Sequence, residues 1–478
     1  MRNANGSGHE QRRQTDGPGK DEVNRMNDFR KTAQEMLEFI RISPTCFHAV
    51  ANIGRMLEAA GFQQLQEKEE WKLEKGGRYY TERNDSSVIA FVIPEKEVGI
   101  RGFHMAAAHS DSPCFKIKEK PELTVEEHYL RLNTEKYGGM ILSTWLDRPL
   151  SVAGRLAVKN GNGIEGRLVN IDRDLCVIPN VAIHMNREMN KGVEYNPQVD
   201  LLPLLADVSF DEYDAHTTYD AQTASENAEE QPEAVEKPTL AALAAETAGV
   251  DAETILGEDL FLYTRQEGKM IGAKGEFVLS PRLDDLQSAF ALTKAFTEST
   301  PAEYINVCAV FDNEEVGSGT RQGADSTFLE DTLQRITEGL QEGHSTYLRW
   351  VADSFLISAD NAHAVHPNHP EKADPANRPY LNGGIVIKYH GSQKYTTDGI
   401  SAAKMKDYCE RAKVPYQTYA NRSDIAGGST LGNISTAHVS VSSVDIGLPQ
   451  LAMHSAVETA GMKDTEYAVR ALKEFWGE

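Results

Sequence analysis

Cysteine is scarce in this chain: five residues among 478, Cys46, Cys114, Cys176, Cys308 and Cys409, with no CxxC spacing. An odd, dispersed set argues against a disulfide framework and against a thiolate zinc site. Cys308 lies inside the apolar run YINVCAVF and reads as a small core residue. Long apolar runs are missing too. Stretches such as Val88–Ile93 fall far short of the roughly 20 residues that span a bilayer. The N-terminal residues are polar and lack an apolar h-region, so neither a membrane span nor a signal peptide is expected. Positive charge is in deficit, with 49 Lys and Arg against 72 Asp and Glu, a formal charge of −23. That balance speaks against nucleic acid or an anionic membrane as the main partner and favours solubility. Internal repeats are absent, and the default location is the cytoplasm. What is present is ordinary for a globular protein, 40% hydrophobic and 25% charged, at a length that predicts more than one domain.

Taken in order, residues 1–26 are polar, aperiodic and expected to be disordered. Ala33, Met36, Leu37 and Ile40 mark an amphipathic helix; Val50, Ile53 and Leu57 mark a second, stopped by Gly61. Short strands follow at Val88–Ile93 and Phe103–Ala108. From about residue 116 to 269 the character changes to short β-like segments separated by Gly-Asn turns, among them Leu130–Leu132, Gly154–Val158 and Gly166–Ile171. This reads as a mainly β insertion into an α/β domain formed by residues 27–115 and 270–478. Inside it, residues 211–236 are acidic and poor in apolar groups, the composition of a flexible loop. Thr239–Leu256 holds a short helix, and Val469, Leu472 and Trp476 mark a closing one.

The chemistry concentrates at the ends of strands. Tyr304–Phe311 reads as a buried parallel strand running into FDNEEVGSG, so Glu314 and Glu315 sit where such sheets bind ligands. Other Glu-Glu pairs in the chain lack a core strand before them. Phe103–Ala108 runs into His109-Ser110-Asp111, and H-x-D spacing lets Asp111 accept from one imidazole nitrogen while the other faces a metal. In SPRLDDL, Asp284 falls near a helix start, where N-terminal capping and metal ligation are both open. SFLISAD ends in Asp360, followed by His363, His366 and His369, whose interleaved prolines rule out a regular helix. Lys388, on the strand IVIKY, reads by itself as a snorkelling surface lysine. His454, after the β-like Val439–Ile446, reads by itself as a satisfied core histidine.

Together, His109, Asp284, Glu315, Asp360 and His454 form a mixed nitrogen and oxygen donor set suited to zinc or another first-row ion. One bridging carboxylate would give each of two ions three protein ligands. Such ions lower the pKa of water to about 7, and a free carboxylate alongside, Glu314, is placed to carry the proton to a leaving amine.

HSDSPC at 109–114, STWLDR at 143–148, SPRLDDL at 280–286, DNEEVGS at 312–318, ISADNAHAVHPN at 357–368 and QLAMHS at 450–455 also carry a resemblance. In sequence and order they resemble the aspartyl aminopeptidase family of co-catalytic zinc aminopeptidases, from about residue 30 to the end. The resemblance implies a three-layer α/β/α zinc-exopeptidase-like catalytic domain with an inserted, mainly β dimerisation domain. It implies two zinc ions per subunit, with cobalt or manganese as substitutes: one held by His109, Asp284 and Asp360, the other by Asp284, Glu315 and His454. Glu314 is then the general base, and Asp111 belongs to the catalytic set. His184 matches a histidine that reaches into a neighbouring subunit's site, and His363, Lys388 and Tyr395 match substrate-contact positions. Family members form dimers that assemble into tetrahedral dodecamers, and the substrates implied are peptides, with an acidic or a neutral N-terminal residue. Two other readings differ in kind. A related deacylase or carboxypeptidase would recognise a carboxylate in place of a free amine, and a non-catalytic shell protein would have a broken ligand set.

Overall fold

The computed structural model describes residues 20–95, 99–208, 239–425, 427–428 and 430–478. The expected acidic loop at 211–236 and residues 1–19 lie outside them. One expectation is corrected at the start. The first helix begins at Lys20 and runs to Arg41, so residues 20–26 are helical. The apolar stripe marks where the helix packs. Beyond it the helix continues back to Lys20, because nothing between disfavours helical backbone.

A nine-stranded sheet organises the molecule. At its centre Ile305–Phe311, Phe103–His109, Phe355–Ala359 and Ser442–Gly447 lie side by side and parallel. Their side chains are mostly apolar on both faces, as a sheet covered on both sides requires, with His104, Asn306, Ser358 and Asp445 among the buried polar ones. Along Phe103–His109 the alternation is clean. Ala106 and Ala108 face a core shared with helices Lys20–Arg41, Cys46–Ala59, Leu283–Thr297, Gly399–Ala412 and Asp464–Trp476. Phe103, Met105 and Ala107 face a second core with helices Phe328–Gly339 and His344–Ala352. This is the three-layer α/β/α arrangement implied by the sequence.

Strands Gly163–Asn170, Leu150–Asn160, Ile255–Thr264, Cys114–Val125, Tyr129–Tyr137 and Leu204–Asp207 form a separate six-stranded sheet, antiparallel throughout. It has its own core, centred on Phe115, Leu132, Leu156 and Leu262, with Leu240 and Ala244 of helix Leu240–Ala248. A five-stranded sheet of short strands, including Phe277–Ser280, Glu458–Gly461 and Ala362–His363, draws its strands from between and after those of the nine-stranded sheet. All five cysteines are free thiols. Among the described residues no helix is long and apolar enough to cross a membrane.

Candidate metal centre

Register in the central sheet brings the candidate groups together. Phe311 pairs with His109, and Ala359 with Ile446. The carboxyl ends of adjacent parallel strands therefore present His109, the turn Asp312–Glu315 and Asp360 at one edge, where α/β sheets bind ligands. Asp284 arrives from the other side. It does not cap the following helix: Oδ1 of its carboxylate meets no hydrogen-bond donor and Oδ2 faces His454. The cap position falls to Arg282, while the Asp284 backbone is itself non-helical (φ −83°, ψ 108°). One carboxylate oxygen, Oδ1, lies 3.6 Å from Nε2 of His109, and the other, Oδ2, lies 3.3 Å from Nε2 of His454. The same His454 nitrogen is 3.3 Å from Oε1 of Glu315.

Three overlapping groups of donors result. Ligand atoms of His109, Asp284, Asp285 and Asp360 lie within 4.8 Å of one another, as do those of His109, Glu314 and Glu315 and those of Asp284, Glu315 and His454. Asp284 belongs to the first and the last. The residues fit a metal on three further grounds. Oδ1 of Asp284 and Oδ1 of Asp285 are buried without a hydrogen-bond donor, which is costly unless a cation satisfies them. Burial pushes the carboxyls of Glu315 and Asp360 above their ordinary range, with neighbouring carboxylates adding to it. Against its own burial, Asp284 is held well below that range by His109 and His454. Five acids this close need positive charge among them, and imidazole with carboxylate is a zinc donor set.

Hydrogen bonds fix the ligands in place. Nδ1 of His109 lies 3.1 Å from the carbonyl and 3.3 Å from the carboxylate of Asp111, leaving Nε2 toward Asp284. Asp111 also accepts the backbone N–H groups of Glu314 and Glu315, at 3.1 and 3.2 Å, and the Tyr137 hydroxyl at 2.7 Å. It lies behind His109, Glu314 and Glu315, in contact with all three. Nδ1 of His454 donates to the Gly139 carbonyl at 2.6 Å. Gly138 has φ +79°, and a Cβ there would come within 3.2 Å of Glu315 Cβ, so the segment leaving strand Tyr129–Tyr137 passes close to the centre only as glycine.

The centre opens into a cleft of roughly 330 Å³, lined by Glu314, Asp360, His363, Lys388, Tyr395 and Tyr419 among others. Burial, with the nearby carboxylates of Asp360, Asp111 and Asp284, raises the Glu314 carboxyl to about 7 against the opposing pull of His109. Lys388 is 2% exposed, which corrects the surface reading: its amine donates to the Asn361 carbonyl at 3.0 Å and lies 3.8 Å from Asp360. His454 is corrected as well. Its side chain is 31% exposed and faces the cluster. His184 is brought to none of this; it is exposed, on a turn after the six-stranded sheet's fourth strand in the chain. Sequence reasoning missed Tyr137, Gly139, Asp285 and Glu458. Asp285 alone had a signal, as the second acid of the DD pair; the others sit in unremarkable β-like sequence.

Comparison with known proteins points to one family. A family described as "Aminopeptidase I zinc metalloprotease (M18)" matches residues 39–476. The chain is 47% identical over 448 residues, 93% of its length and 98% of the relative's, to a protein of Clostridium novyi named "Probable M18 family aminopeptidase 2". Among solved structures, Ape4 in its complex with Nbr1 is 36% identical with a TM-score of 0.86, covering 95% of this chain and 86% of that one. The mApe1 dodecamer of S. cerevisiae is 26% identical with a TM-score of 0.77, covering 94% and 97%.

Proposed function

Since this chain belongs to the M18 family of zinc metalloaminopeptidases, we propose that it removes the N-terminal residue of short peptides at a centre of two zinc ions. The observation that carries this is Asp284, which turns one oxygen toward His109 and the other toward His454. His109, Asp284 and Asp360 would hold one ion, and Asp284, Glu315 and His454 the other. Zinc so held supplies the Lewis acidity that makes water acidic near neutral pH and polarises the scissile carbonyl.

The chain's own residues do the rest. Glu314 lines the cleft with a carboxyl raised to about 7, the range of a general base working at neutral pH. It takes the proton from the attacking water and passes it to the nitrogen of the leaving peptide. Asp111 holds the Glu314 and Glu315 amides and the His109 ring, keeping base and ligands in register. The acidic lining suits the substrate's free amine. Lys388, the one lysine or arginine lining the cleft among the described residues, suits an N-terminal Asp or Glu, with His363 and Tyr395 shaping the same pocket. The subunits assemble as homo-oligomers, by analogy with the yeast dodecamer. His184, exposed on its own subunit, reaches a neighbour's cleft.

Rates on Asp-Ala-Ala, Leu-Ala-Ala and N-acetyl-Asp-Ala-Ala with zinc-loaded protein test the reading. It expects hydrolysis of the free-amine peptides, fastest for Asp-Ala-Ala. Cleavage of the acetylated peptide at a similar rate would overturn the aminopeptidase mechanism, and a faster rate on Leu-Ala-Ala would overturn the acidic preference.

A further inference from the structure

One buried acid touches both halves of the donor cluster and has no part in the chemistry above. Glu458 begins strand Glu458–Gly461, paired with Ser280 across the five-stranded sheet, and is 2% exposed. Its Oε2 accepts the backbone N–H of Asp284 at 3.0 Å, and its Oε1 accepts the backbone N–H of His454 at 2.7 Å. Asp284 and Glu458 are 174 residues apart in sequence. One carboxylate therefore fixes the distance between the backbones of the two residues whose side chains meet at 3.3 Å.

The residue type matters. A carboxylate accepts through both oxygens, whereas the isosteric amide of glutamine offers one acceptor and turns a donor toward the second N–H. Position matters as well. His454 has φ +65°, in the left-handed region that costs a residue with a side chain. Its N–H bond to Glu458 helps to hold it there, while its carbonyl accepts from the Ile141 N–H at 2.9 Å. Without Glu458 the backbone would be held on one side only, and the ring would lose its aim at Asp284 and Glu315.

We propose that Glu458 is a positioning residue that sets the spacing of Asp284 and His454 and thereby the affinity of the Asp284–Glu315–His454 site for its ion. The inference rests on the two-ion reading above. The test is a zinc titration of metal-free, full-length protein against a competing chromophoric chelator, for wild type, Glu458→Gln and Glu458→Asp. Aspartate keeps the charge but is one methylene too short to reach both amides, so it separates geometry from electrostatics. Wild type is expected to bind two ions per subunit. Both variants are expected to keep one ion at wild-type affinity and to bind the second about 10–100-fold more weakly, the usual effect of losing an outer partner. Their metal-free thermal midpoints should stay close to that of the wild type. Wild type binding fewer than two ions would sink the two-ion reading itself. Two ions in wild type, with unchanged affinities in Glu458→Asp, would overturn the role of Glu458 alone. Failure of both variants to fold without metal would make Glu458 an ordinary structural residue and overturn the inference equally.

Discussion

At the scale of single residues, the proposed mechanism divides the two adjacent glutamates between holding and transferring. Glu315 lies against His454, while Glu314 faces the cleft. Glu314→Gln should therefore keep its zinc, read by elemental analysis, and lose about 10²–10⁴-fold in kcat. Retained turnover would remove Glu314 as the base. Tyr137 is a finer case. Its hydroxyl donates to Asp111 and accepts from the Asn313 amide at 2.8 Å, so one phenol from the six-stranded sheet steadies the turn that carries both glutamates. Tyr137→Phe keeps the ring against Phe261 and removes only those bonds. The expected outcome is a kcat lower by roughly tenfold with KM and zinc content little changed; an unchanged kcat would show that Asp111 needs no help. Neither Tyr137 nor Glu458 was legible in the sequence. A tyrosine closing a strand and a glutamate opening one look like sheet residues, and only tertiary contact shows which groups they hold. Lys388 failed for the opposite reason: lysine is exposed almost everywhere else, and its burial beside Asp360 depends on partners from other strands.

At the scale of elements, strand ends were readable because apolar, β-branched runs stop abruptly at polar residues, as YINVCAVF does before Asp312. The start of the Leu283 helix was not. Asp284 has the sequence position of a cap, yet its Oδ1 meets no hydrogen-bond donor, its Oδ2 faces His454, and its own N–H goes to Glu458. The closing helix shows how side chains pin an element to the sheet. His104 stacks on Phe475 and Tyr304 at 4.6 and 3.7 Å, its Nδ1 lies 3.2 Å from the Phe475 carbonyl, and Trp476 donates to the His104 carbonyl at 3.0 Å. Burial lowers the His104 pKa from 6.5 to about 4. The folded protein thus binds its proton less readily than the unfolded chain. The stability His104 contributes is complete above pH 6.5 and is lost as pH falls toward 4. At about 1.4 kcal/mol per unit, acidification from pH 6.5 to 5 should cost wild type roughly 2 kcal/mol relative to His104→Phe, measured by urea unfolding of both proteins. Parallel pH dependence in the two would contradict the assignment.

At the scale of the whole molecule, the change from α/β to β-rich sequence near residue 116 and back near 269 corresponds to strands that pair in their own antiparallel sheet from Cys114 to Thr264. That change was visible because strand periodicity and Gly-Asn turns replace long apolar runs. How the sheet serves the centre was not visible, since the contacts from Tyr137, Gly139 and Ile141 are made by backbone and a lone hydroxyl. Assembly is tested by His184. In an oligomer whose clefts are completed by neighbours, His184→Ala should lower kcat/KM about tenfold or more, as loss of a substrate hydrogen bond does, with mass by light scattering unchanged. Full activity in that variant would make each subunit's site self-sufficient. The central claim is that five distant side chains cage two ions across one shared aspartate. Anomalous diffraction at the zinc edge from crystals of the zinc-loaded protein addresses it directly. Two peaks should flank Asp284, one beside His109 and Asp360 and the other beside Glu315 and His454; a single peak, or peaks away from Asp284, would contradict it.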